Sequence, residues 1–237
     1  MGLGKTAYVT VMRGAGRLAK TSGLSAKLES GAERSRAARW VRSLFAIYNI
    51  DEMVKLDLPW WTFDAIEEVD AFLKNRPNAR VFEYGSGAST IWLARRAASV
   101  ISIEHDPSWF PIVKEKLTGR FPNVDLRLVP ADATAHGDAQ YVSVKPGWKG
   151  RSFHDYVHAI DAESGSFDVI VVDGRARVAC LAHAASRLAP DGLLVFDNTH
   201  RPAYRQAIAA SPLRAKRTRG LTACLPYPDE TTLMRHG

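Results

Sequence analysis

Two nearly continuous apolar runs constrain the fold of this 237-residue chain more than any other feature. They read Phe-Asp-Val-Ile-Val-Val-Asp at 167–173 and Gly-Leu-Leu-Val-Phe-Asp at 192–197. Such runs are typical of parallel strands that are buried on both faces of a sheet because helices cover each side. The sequence therefore predicts a sheet with helices on both of its faces.

The chain before and between these runs alternates predicted strands with predicted helices. Further strands are expected at 80–84, 99–104 and 124–129, and helices at 63–75, 88–97, 107–118, 152–161, 175–188 and 201–210. Extended pieces at 221–225 and 231–235 predict a C-terminal hairpin, and 133–151 predicts a long loop. This order predicts an α/β fold: a doubly wound, mostly parallel, Rossmann-like seven-stranded sheet with a C-terminal antiparallel hairpin.

The N-terminal stretch differs from the rest in charge and pattern. Residues 1–45 contain nine Lys or Arg and two Glu, so the whole formal net charge of +7 comes from this stretch. Little periodicity is visible over 1–33, which predicts loose structure. We therefore divide the chain into a basic, partly helical extension over 1–50 and a main domain over 51–237.

The spacing of apolar residues over 34–50 predicts one amphipathic helix. Trp40 and Phe45 fall on its apolar face, with Arg39 and Arg42 opposite. We expect the apolar face to pack on the main domain while the arginines face water. Contact of this helix with an anionic membrane surface is the alternative.

Composition indicates an ordinary globular protein with a charge-balanced main domain. The hydrophobic fraction is 46% and the charged fraction 24%, and no apolar run is long enough to span a bilayer. Cys180 and Cys224 form neither a metal motif nor a disulfide framework, and no signal peptide is evident. We expect a cytoplasmic protein and no nucleic-acid partner.

The end of the first predicted strand carries the strongest sign of a ligand. Residues 83–90 read Glu-Tyr-Gly-Ser-Gly-Ala-Ser-Thr. Gly85 and Gly87 lack a Cβ, so the backbone can turn tightly and a ligand can approach closely. Glu104 closes the second predicted strand, where an acid can accept hydrogen bonds from ribose hydroxyls. Together these features predict a ligand that contains adenosine.

The residues around the glycines favour S-adenosylmethionine (SAM) over a dinucleotide. Thr90 stands where a dinucleotide site has its third glycine. Glu83 would repel a pyrophosphate but suits the sulfonium and ammonium charges of SAM. An NAD-dependent oxidoreductase is therefore the weaker alternative. A noncatalytic module that keeps the fold and the SAM site is another.

Glu83-x-Gly85-x-Gly87, Glu104 and Ala131-Asp132-Ala133 resemble the motifs of class I SAM-dependent methyltransferases. The resemblance covers about residues 60–235. It implies that Glu83 and the glycine loop surround the methionine moiety of SAM, that Glu104 contacts the ribose and that Asp132 lies near the adenine. The cofactor residues predicted beside these are Tyr84, Ser86, Ser89, Thr90, His105, Ala133 and Asp173.

The ends of the fourth and fifth predicted strands are candidates for the acceptor side. Asp173, Asp197 and Asn198 are similar to the magnesium ligands of catechol-type O-methyltransferases, and their oxygens suit Mg²⁺. This chain departs from that pattern because Arg175-Ala176-Arg177 stands where those enzymes place a catalytic lysine. The alternatives are that Asp173 contacts cofactor or substrate without a metal, that Arg175 or Arg177 serves as the cation, and that Asp197-Asn198 caps a helix.

The expected reaction is methyl transfer from SAM to an oxygen or nitrogen of a small-molecule or sugar acceptor. The catalytic candidates are Asp173, Arg175 and His200, the last as a base. Two other patterns are weaker. His154 and His158 lie one helical turn apart but have no evident third metal ligand, so a surface helix is expected. Trp60-Trp61 is expected to belong to the core, with stacking on a substrate as the alternative.

Glu104→Ala should weaken SAM binding by roughly ten- to a hundredfold, because hydrogen bonds to a charged group typically contribute about 1.5–3 kcal/mol. Isothermal titration calorimetry on the folded variant measures this loss. An unchanged affinity would remove Glu104 from the cofactor site.

Overall fold

The computed structural model describes residues 10–12, 14, 31, 35–47, 49–133 and 137–237. Most of the stretch predicted to be loose, 1–33, lies outside these residues, as does Tyr48 of the predicted N-terminal helix. No helix among the described residues is both long and apolar enough to cross a membrane.

Seven strands form one sheet in the order β3-β2-β1-β4-β5-β7-β6. The strands are β1 Arg80–Tyr84, β2 Ser99–Glu104, β3 Val124–Leu128, β4 Phe167–Val172, β5 Leu188–Asp197, β6 Arg214–Gly220 and β7 Asp229–Arg235. The first five pair in parallel, and β7 pairs antiparallel with both β5 and β6. The predicted fold class is therefore confirmed.

Eight α-helices connect or precede these strands in the described part of the chain. They are α1 Arg36–Leu44, α2 Ile50–Leu56, α3 Phe63–Lys74, α4 Ala88–Ala94, α5 Phe110–Leu117, α6 His154–His158, α7 Arg177–Arg187 and α8 Pro202–Ala210. Each predicted helix beyond residue 60 has a counterpart, most of them shorter than predicted.

The central strands bury alternate side chains on opposite faces of the sheet. Val169 and Val171 of β4 face a core built with α3 and α4, whereas Ile170 and Val172 face a core built with α6 and α7. All four side chains are fully buried. This two-sided burial is the physical reason why the run is apolar at nearly every position.

The predicted first strand of the C-terminal hairpin was wrong. The strand is Arg214–Gly220, whereas 221–225 is a connection in which Thr222, Ala223 and Cys224 are buried and Leu221 is exposed. Because β6 lies at the edge of the sheet and is mostly exposed, its charged sequence lacks the apolar signal that marks an inner strand. The apolar residues Ala223 and Cys224 instead fill the core beside α2.

The predicted helix over 34–50 is shorter in the structure, because α1 covers only Arg36–Leu44 and a second helix begins at Ile50. The helix α1 ends at Leu44, and the side chain of Asn49 accepts a hydrogen bond from the N–H of Glu52 and so caps the start of α2. Trp40 Nε1 donates to the Leu225 carbonyl (2.9 Å), and Ser43 Oγ accepts from the Cys224 N–H (2.9 Å). These contacts dock α1 on the loop between β6 and β7.

The three arginines of α1 all contact groups of the protein, and the expectation that they face water is wrong for Arg42, which is buried, whereas Arg36 remains exposed. Arg36 pairs with Asp64 of α3 (2.6 Å), and Arg39 donates to backbone carbonyls after α2. Arg42 is only 4% exposed and lies 2.7 Å from Glu52. The N-terminal helices are therefore held by ionic contacts as well as by apolar packing.

Glu52→Ala should lower the free energy of unfolding by about 3–5 kcal/mol, because it leaves the buried Arg42 charge without this carboxylate. Glu67→Ala is the matched control, since Glu67 pairs with Arg36 at the surface and such pairs contribute about 0–1 kcal/mol. Urea denaturation measures both values. Equal losses in the two variants would contradict this account of α1 and α2.

Candidate active site

A cavity of about 600 Å³ opens at the carboxyl ends of the parallel strands. Its lining combines the loops that follow β1, β2, β4 and β5 with residues of α2 and of the loop between β6 and β7. Ligands of open α/β sheets bind at this edge, where neighbouring strands lead to helices on opposite faces. The cavity is therefore the candidate active site.

Gly85 turns the chain at the end of β1 and packs against the end of β4. Its φ of +96° lies in the region that favours glycine, and a Cβ there would come within 2.9 Å of the Gly174 backbone. A Cβ on Gly174 would in turn lie 1.9 Å from the Tyr156 hydroxyl. Both glycines are therefore required by the protein itself, as neither position has room for a side chain.

Gly87 has no such internal reason to be glycine. Its φ of 170° is ordinary extended backbone, and a Cβ there would meet no atom within 4 Å. Gly87 lines the cavity at the start of α4. The missing side chain therefore leaves room for something outside the protein, as expected of a glycine beside a ligand.

Glu83 lies beneath the glycine loop and is fully buried. Its carboxylate accepts hydrogen bonds from the hydroxyls of Ser89 (2.5 Å), Thr90 (2.5 Å) and Ser102 (2.6 Å). Burial raises the pKa of Glu83 to about 7, although these hydroxyls act in the opposite direction. Because Thr90 Oγ1 also accepts from the Gly87 N–H (2.9 Å), Glu83 holds the loop through Thr90.

Glu104 lies at the end of β2 and lines the cavity. One carboxylate oxygen accepts from the N–H (3.0 Å) and hydroxyl (2.8 Å) of Ser86, and the other from the N–H groups of His105 and Asp106 (both 2.8 Å). Burial acts to raise the pKa of Glu104, but His105 and these hydrogen bonds outweigh it and hold the pKa below its usual value. Glu104 is therefore a fixed anion, and its contact with a ribose remains a prediction.

Several predicted cofactor residues lie behind the cavity wall rather than on it. Both oxygens of Asp132 accept hydrogen bonds at the start of α6, from the N–H groups of His154 (2.7 Å) and Asp155 (3.2 Å). Tyr84 is fully buried and donates to the Val157 carbonyl. Of the predicted cofactor residues, the cavity lining includes Ser86, Ser89, His105 and Asp173. The lining does not include Glu83, Tyr84, Thr90, Asp132 or Ala133.

Arg177 joins the ends of β4 and β5. Its guanidinium pairs with the Asp173 carboxylate (2.5 Å) and donates to the backbone carbonyls of Asp173 (2.7 Å) and Asp197 (2.7 Å). Burial raises the pKa of Asp173 despite Arg177, and burial together with the charge of Asp173 raises the pKa of Asp197 well above its usual range. Arg177 therefore supplies the cation beside these two acids.

The three predicted magnesium ligands each have a protein partner. Besides the Asp173–Arg177 pair, Asp197 Oδ1 accepts from the Thr231 hydroxyl (2.7 Å), and Asn198 Nδ2 donates to Asp229 (2.9 Å). Because Arg177 already neutralises Asp173, and Asp197 and Asn198 are hydrogen-bonded within the protein, these residues do not require a metal for their charge, and Mg²⁺ at this place remains a prediction. The helix-cap alternative is wrong, because the N-cap of α8 is Arg201.

His200 and Asp229 form a hydrogen-bonded pair at the β5 side of the cavity. His200 Nδ1 lies 2.7 Å from Asp229 Oδ1, and the His200 side chain is 52% exposed. Asp229 is buried, and its other oxygen accepts from Asn198. A histidine held at Nδ1 by a carboxylate directs Nε2 outward as a proton acceptor. The sequence alone does not reveal Asp229, because 29 residues separate it from His200.

Lys145 is the other functional candidate that the motifs did not reveal. It lines the cavity from the long loop between β3 and β4, where no motif marks it. Burial and the charges of Arg177, Arg175 and Arg201 lower the pKa of Lys145 to about 7. Arg175 Nε donates to His105 Nε2 (3.0 Å), so it extends across the cavity toward β2.

The structure also places the two remaining sequence patterns, the Trp60-Trp61 pair and the histidines of α6. Trp61 is fully buried against Trp92, as expected of a core residue, whereas Trp60 lines the cavity. His158 and His183 both approach one oxygen of Asp161 through Nδ1, at 2.8 and 2.6 Å. Asp161 and His183 escaped sequence analysis as candidate partners of His158, but the distances are those of hydrogen bonds within the protein.

Comparison with known proteins supports a methyltransferase. Residues 82–199 match a family model described as a methyltransferase domain. No curated protein matches the chain.

Solved structures with a similar fold include a precorrin-6Y C5,15-methyltransferase from Geobacter metallireducens, with 10% identity over 73% of this chain and 88% of that one and a TM-score of 0.52. A methyltransferase-like protein from Silicibacter pomeroyi is 24% identical over 76% of this chain and 91% of that one, with a TM-score of 0.47. A Streptococcus mutans protein in complex with S-adenosylhomocysteine (SAH) is 14% identical over 71% and 96%, with a TM-score of 0.48.

The sheet order, the glycine loop after β1 and the acid after β2 define a class I SAM-dependent methyltransferase. With the family match over residues 82–199, the chain belongs to this family and is a methyltransferase. The predicted family is thus confirmed, and the oxidoreductase alternative is set aside.

Gly87→Ala should reduce SAM affinity by at least about tenfold while changing the free energy of unfolding by less than about 0.5 kcal/mol, because the added methyl group enters the cavity and not the protein interior. Calorimetry with SAM and urea denaturation measure the two effects.

Gly85→Ala is the matched control for this variant. Its methyl group meets the Gly174 backbone, so it should lower stability as well as affinity. Unchanged SAM affinity in Gly87→Ala would show that the cofactor does not approach this glycine.

Proposed function

We propose that this enzyme transfers the methyl group of SAM to an oxygen or nitrogen of a small-molecule or sugar acceptor, with His200 as the general base. The observation that carries this proposal is the His200–Asp229 pair (2.7 Å) in the same cavity as the glycine loop. In the sheet, β4 and β5 separate β1, which leads to the glycine loop, from β7, which carries Asp229. The His200–Asp229 pair therefore lies away from the predicted cofactor loop, and an acceptor has room between the loop and the pair.

The chemistry requires a nucleophile that loses its proton as it attacks. Bound SAM supplies an electrophilic methyl carbon and leaves as the neutral thioether SAH. The acceptor forms the new bond to carbon, and its proton passes to His200 Nε2. Asp229 orients the ring and stabilises the imidazolium that results. Alignment of the two substrates in one cavity provides much of the rate enhancement.

Asp229 is itself held in place, which makes it a positioning residue. Its carboxylate accepts from the Glu230 N–H (2.7 Å) and from Asn198 Nδ2 (2.9 Å), in addition to its contact with His200. Asn198 has a φ of 56° after the last residue of β5, so the chain turns sharply there. Asn198 thus supports the base in this proposal and binds no metal.

The size and rim of the cavity support a small acceptor or the end of a sugar chain. A volume of about 600 Å³ lies in the range of small-molecule sites. Trp60 and the 58% exposed Tyr227 both line it. Aromatic rings at a cavity rim offer apolar faces and polar edges, which suits the mixed surface of a sugar.

We also infer a cytoplasmic protein whose N-terminal helix serves the domain and not a membrane. Trp40 and Ser43 of α1 are engaged with the loop between β6 and β7. Cys180 and Cys224 are both buried as free thiols, which suits a reducing compartment. The main domain is balanced in charge and has no net positive charge to attract nucleic acid, so we infer that nucleic acid is not a partner.

His200→Gln should lower the rate of methyl transfer by about 10²–10⁴-fold while leaving SAM affinity unchanged, because general-base catalysis acts on the acceptor alone. Transfer of label from methyl-labelled SAM to a small-molecule and sugar acceptor panel measures the rate. His183→Gln is the control, as His183 lies outside the cavity lining. A rate unaffected by His200→Gln would exclude His200 as the base.

The same assay separates this mechanism from magnesium catalysis. With Arg177 as the cation beside Asp173, activity should persist in EDTA. Activity that disappears in EDTA and returns with Mg²⁺ would instead assign Asp173, Asp197 and Asn198 to a metal.

A further inference from the structure

The carboxylates that line the cavity all have protein partners. Glu104 contacts Ser86 and His105, and Asp106 accepts from Ser108. On the acceptor side, Asp173 pairs with Arg177, Asp197 accepts from Thr231 and Asp229 contacts His200. No carboxylate of the lining is therefore left to pair with the other lysine and arginine side chains that line the cavity.

Three lining cations have no carboxylate partner within ion-pair distance among the described residues. They are Lys145, Arg175 and Arg201. Arg201 contacts the Tyr204 hydroxyl (3.1 Å) and Asn198 Oδ1 (3.5 Å), and Arg175 contacts His105. None of these three partners is an acidic side chain. Their charges are thus available to a ligand.

These cations lie close enough to repel one another. The charges of Arg177, Arg175 and Arg201 act together with burial to lower the pKa of Lys145 to about 7, whereas Asp173 only partly compensates. A protein stabilises such a group of like charges poorly unless an anion binds among them. The acceptor end of the cavity is therefore short of negative charge.

The loop that carries Lys145 is anchored, so the lysine is not merely a surface side chain. Val142 and Ser152 form a bridge at the base of the loop, and the Gly150 N–H donates to the Ser143 carbonyl (2.9 Å). Trp148 packs against His105 with ring centroids 5.0 Å apart. The loop therefore holds Lys145 over the same cavity that His105 lines.

We propose that the methyl acceptor carries an oxyanion, a carboxylate or a phosphate, that Lys145, Arg175 and Arg201 bind within the cavity. This inference rests on the proposed methyl transfer. SAM has a single carboxylate of its own, which can neutralise one cation but not three. The anion of the acceptor supplies the remaining negative charge and fixes the acceptor relative to His200.

Sulfate binding to the SAH-saturated enzyme tests the proposal. SAH already places the cofactor carboxylate in the cavity, so added sulfate reports only on the cations that remain. Calorimetry at constant ionic strength, with sodium chloride as the balancing salt, should show sulfate binding to the wild type. Lys145→Met should weaken it by about tenfold, because one charge-assisted contact is lost.

Lys149→Met is the matched control, since Lys149 is exposed in the same loop and does not line the cavity. It should bind sulfate like the wild type. Arg201→Gln should weaken sulfate binding as Lys145→Met does, and each variant must bind SAH like the wild type, which also shows that it is folded.

Three results would overturn the proposal. The wild type could fail to bind sulfate at concentrations on the order of tens of millimolar, far weaker than a charge-assisted site requires. Lys145→Met could bind sulfate as tightly as the wild type, which would mean an adventitious ion only. Lys145→Met could instead lose SAH affinity, which would assign the lysine to the cofactor. Failure of the wild type to bind SAH would reject the proposed function itself, so the two failures are distinguishable.

Discussion

The rest of the site depends on one buried guanidinium, that of Arg177. It is 5% exposed, pairs with the Asp173 side chain and donates to backbone carbonyls at the ends of β4 and β5. Two acids at neighbouring strand ends, Asp197 buried and Asp173 partly buried, repel each other unless a cation lies beside them, and desolvation raises the pKa of both. Arg177 supplies that cation from the protein itself and joins the ends of β4 and β5 at the cavity.

On the predicted cofactor side the buried acid is Glu83, and it accepts hydrogen bonds from neutral hydroxyl groups instead of pairing with a cation. Glu83 accepts from three hydroxyls and reaches the glycine loop through Thr90, so the loop is held in shape without a charge exposed to the cavity. The anion there is Glu104, which is only 1% exposed but lines the cavity, and His105 and the surrounding N–H groups hold its pKa below the usual value. The two acids of the recognised motif thus differ in their surroundings: Glu83 positions the loop, whereas Glu104 lies at the cavity, where its contact with a ribose remains a prediction.

The N-terminal helices α1 and α2 and the loop between β6 and β7 form a further wall of the cavity, apart from the alternating strands and helices of the sheet. Ser43 and Trp40 bind the loop, and Met53 of α2 contacts Cys224. Met53 and Leu225 both line the cavity. Asn49 and Ile50 of the basic extension line the same cavity, so the extension contributes to its shape, and the pairing of Arg42 with Glu52 stabilises that contribution.

The sequence by itself determined the sheet, the cofactor loop and the family, because apolar strands buried on both faces, paired glycines and a strand-ending acid are local signals. It failed at β6, where an exposed edge strand needs no apolar side chains, and at the length of the N-terminal helix, which ends at Leu44 before Asn49 caps the start of α2. Only the tertiary structure decided which cation serves Asp173, that Asp229 orients His200 and that Lys145 joins the cavity. These are contacts between residues distant in the chain, and local spacing carries no information about which partners the folded sheet brings together.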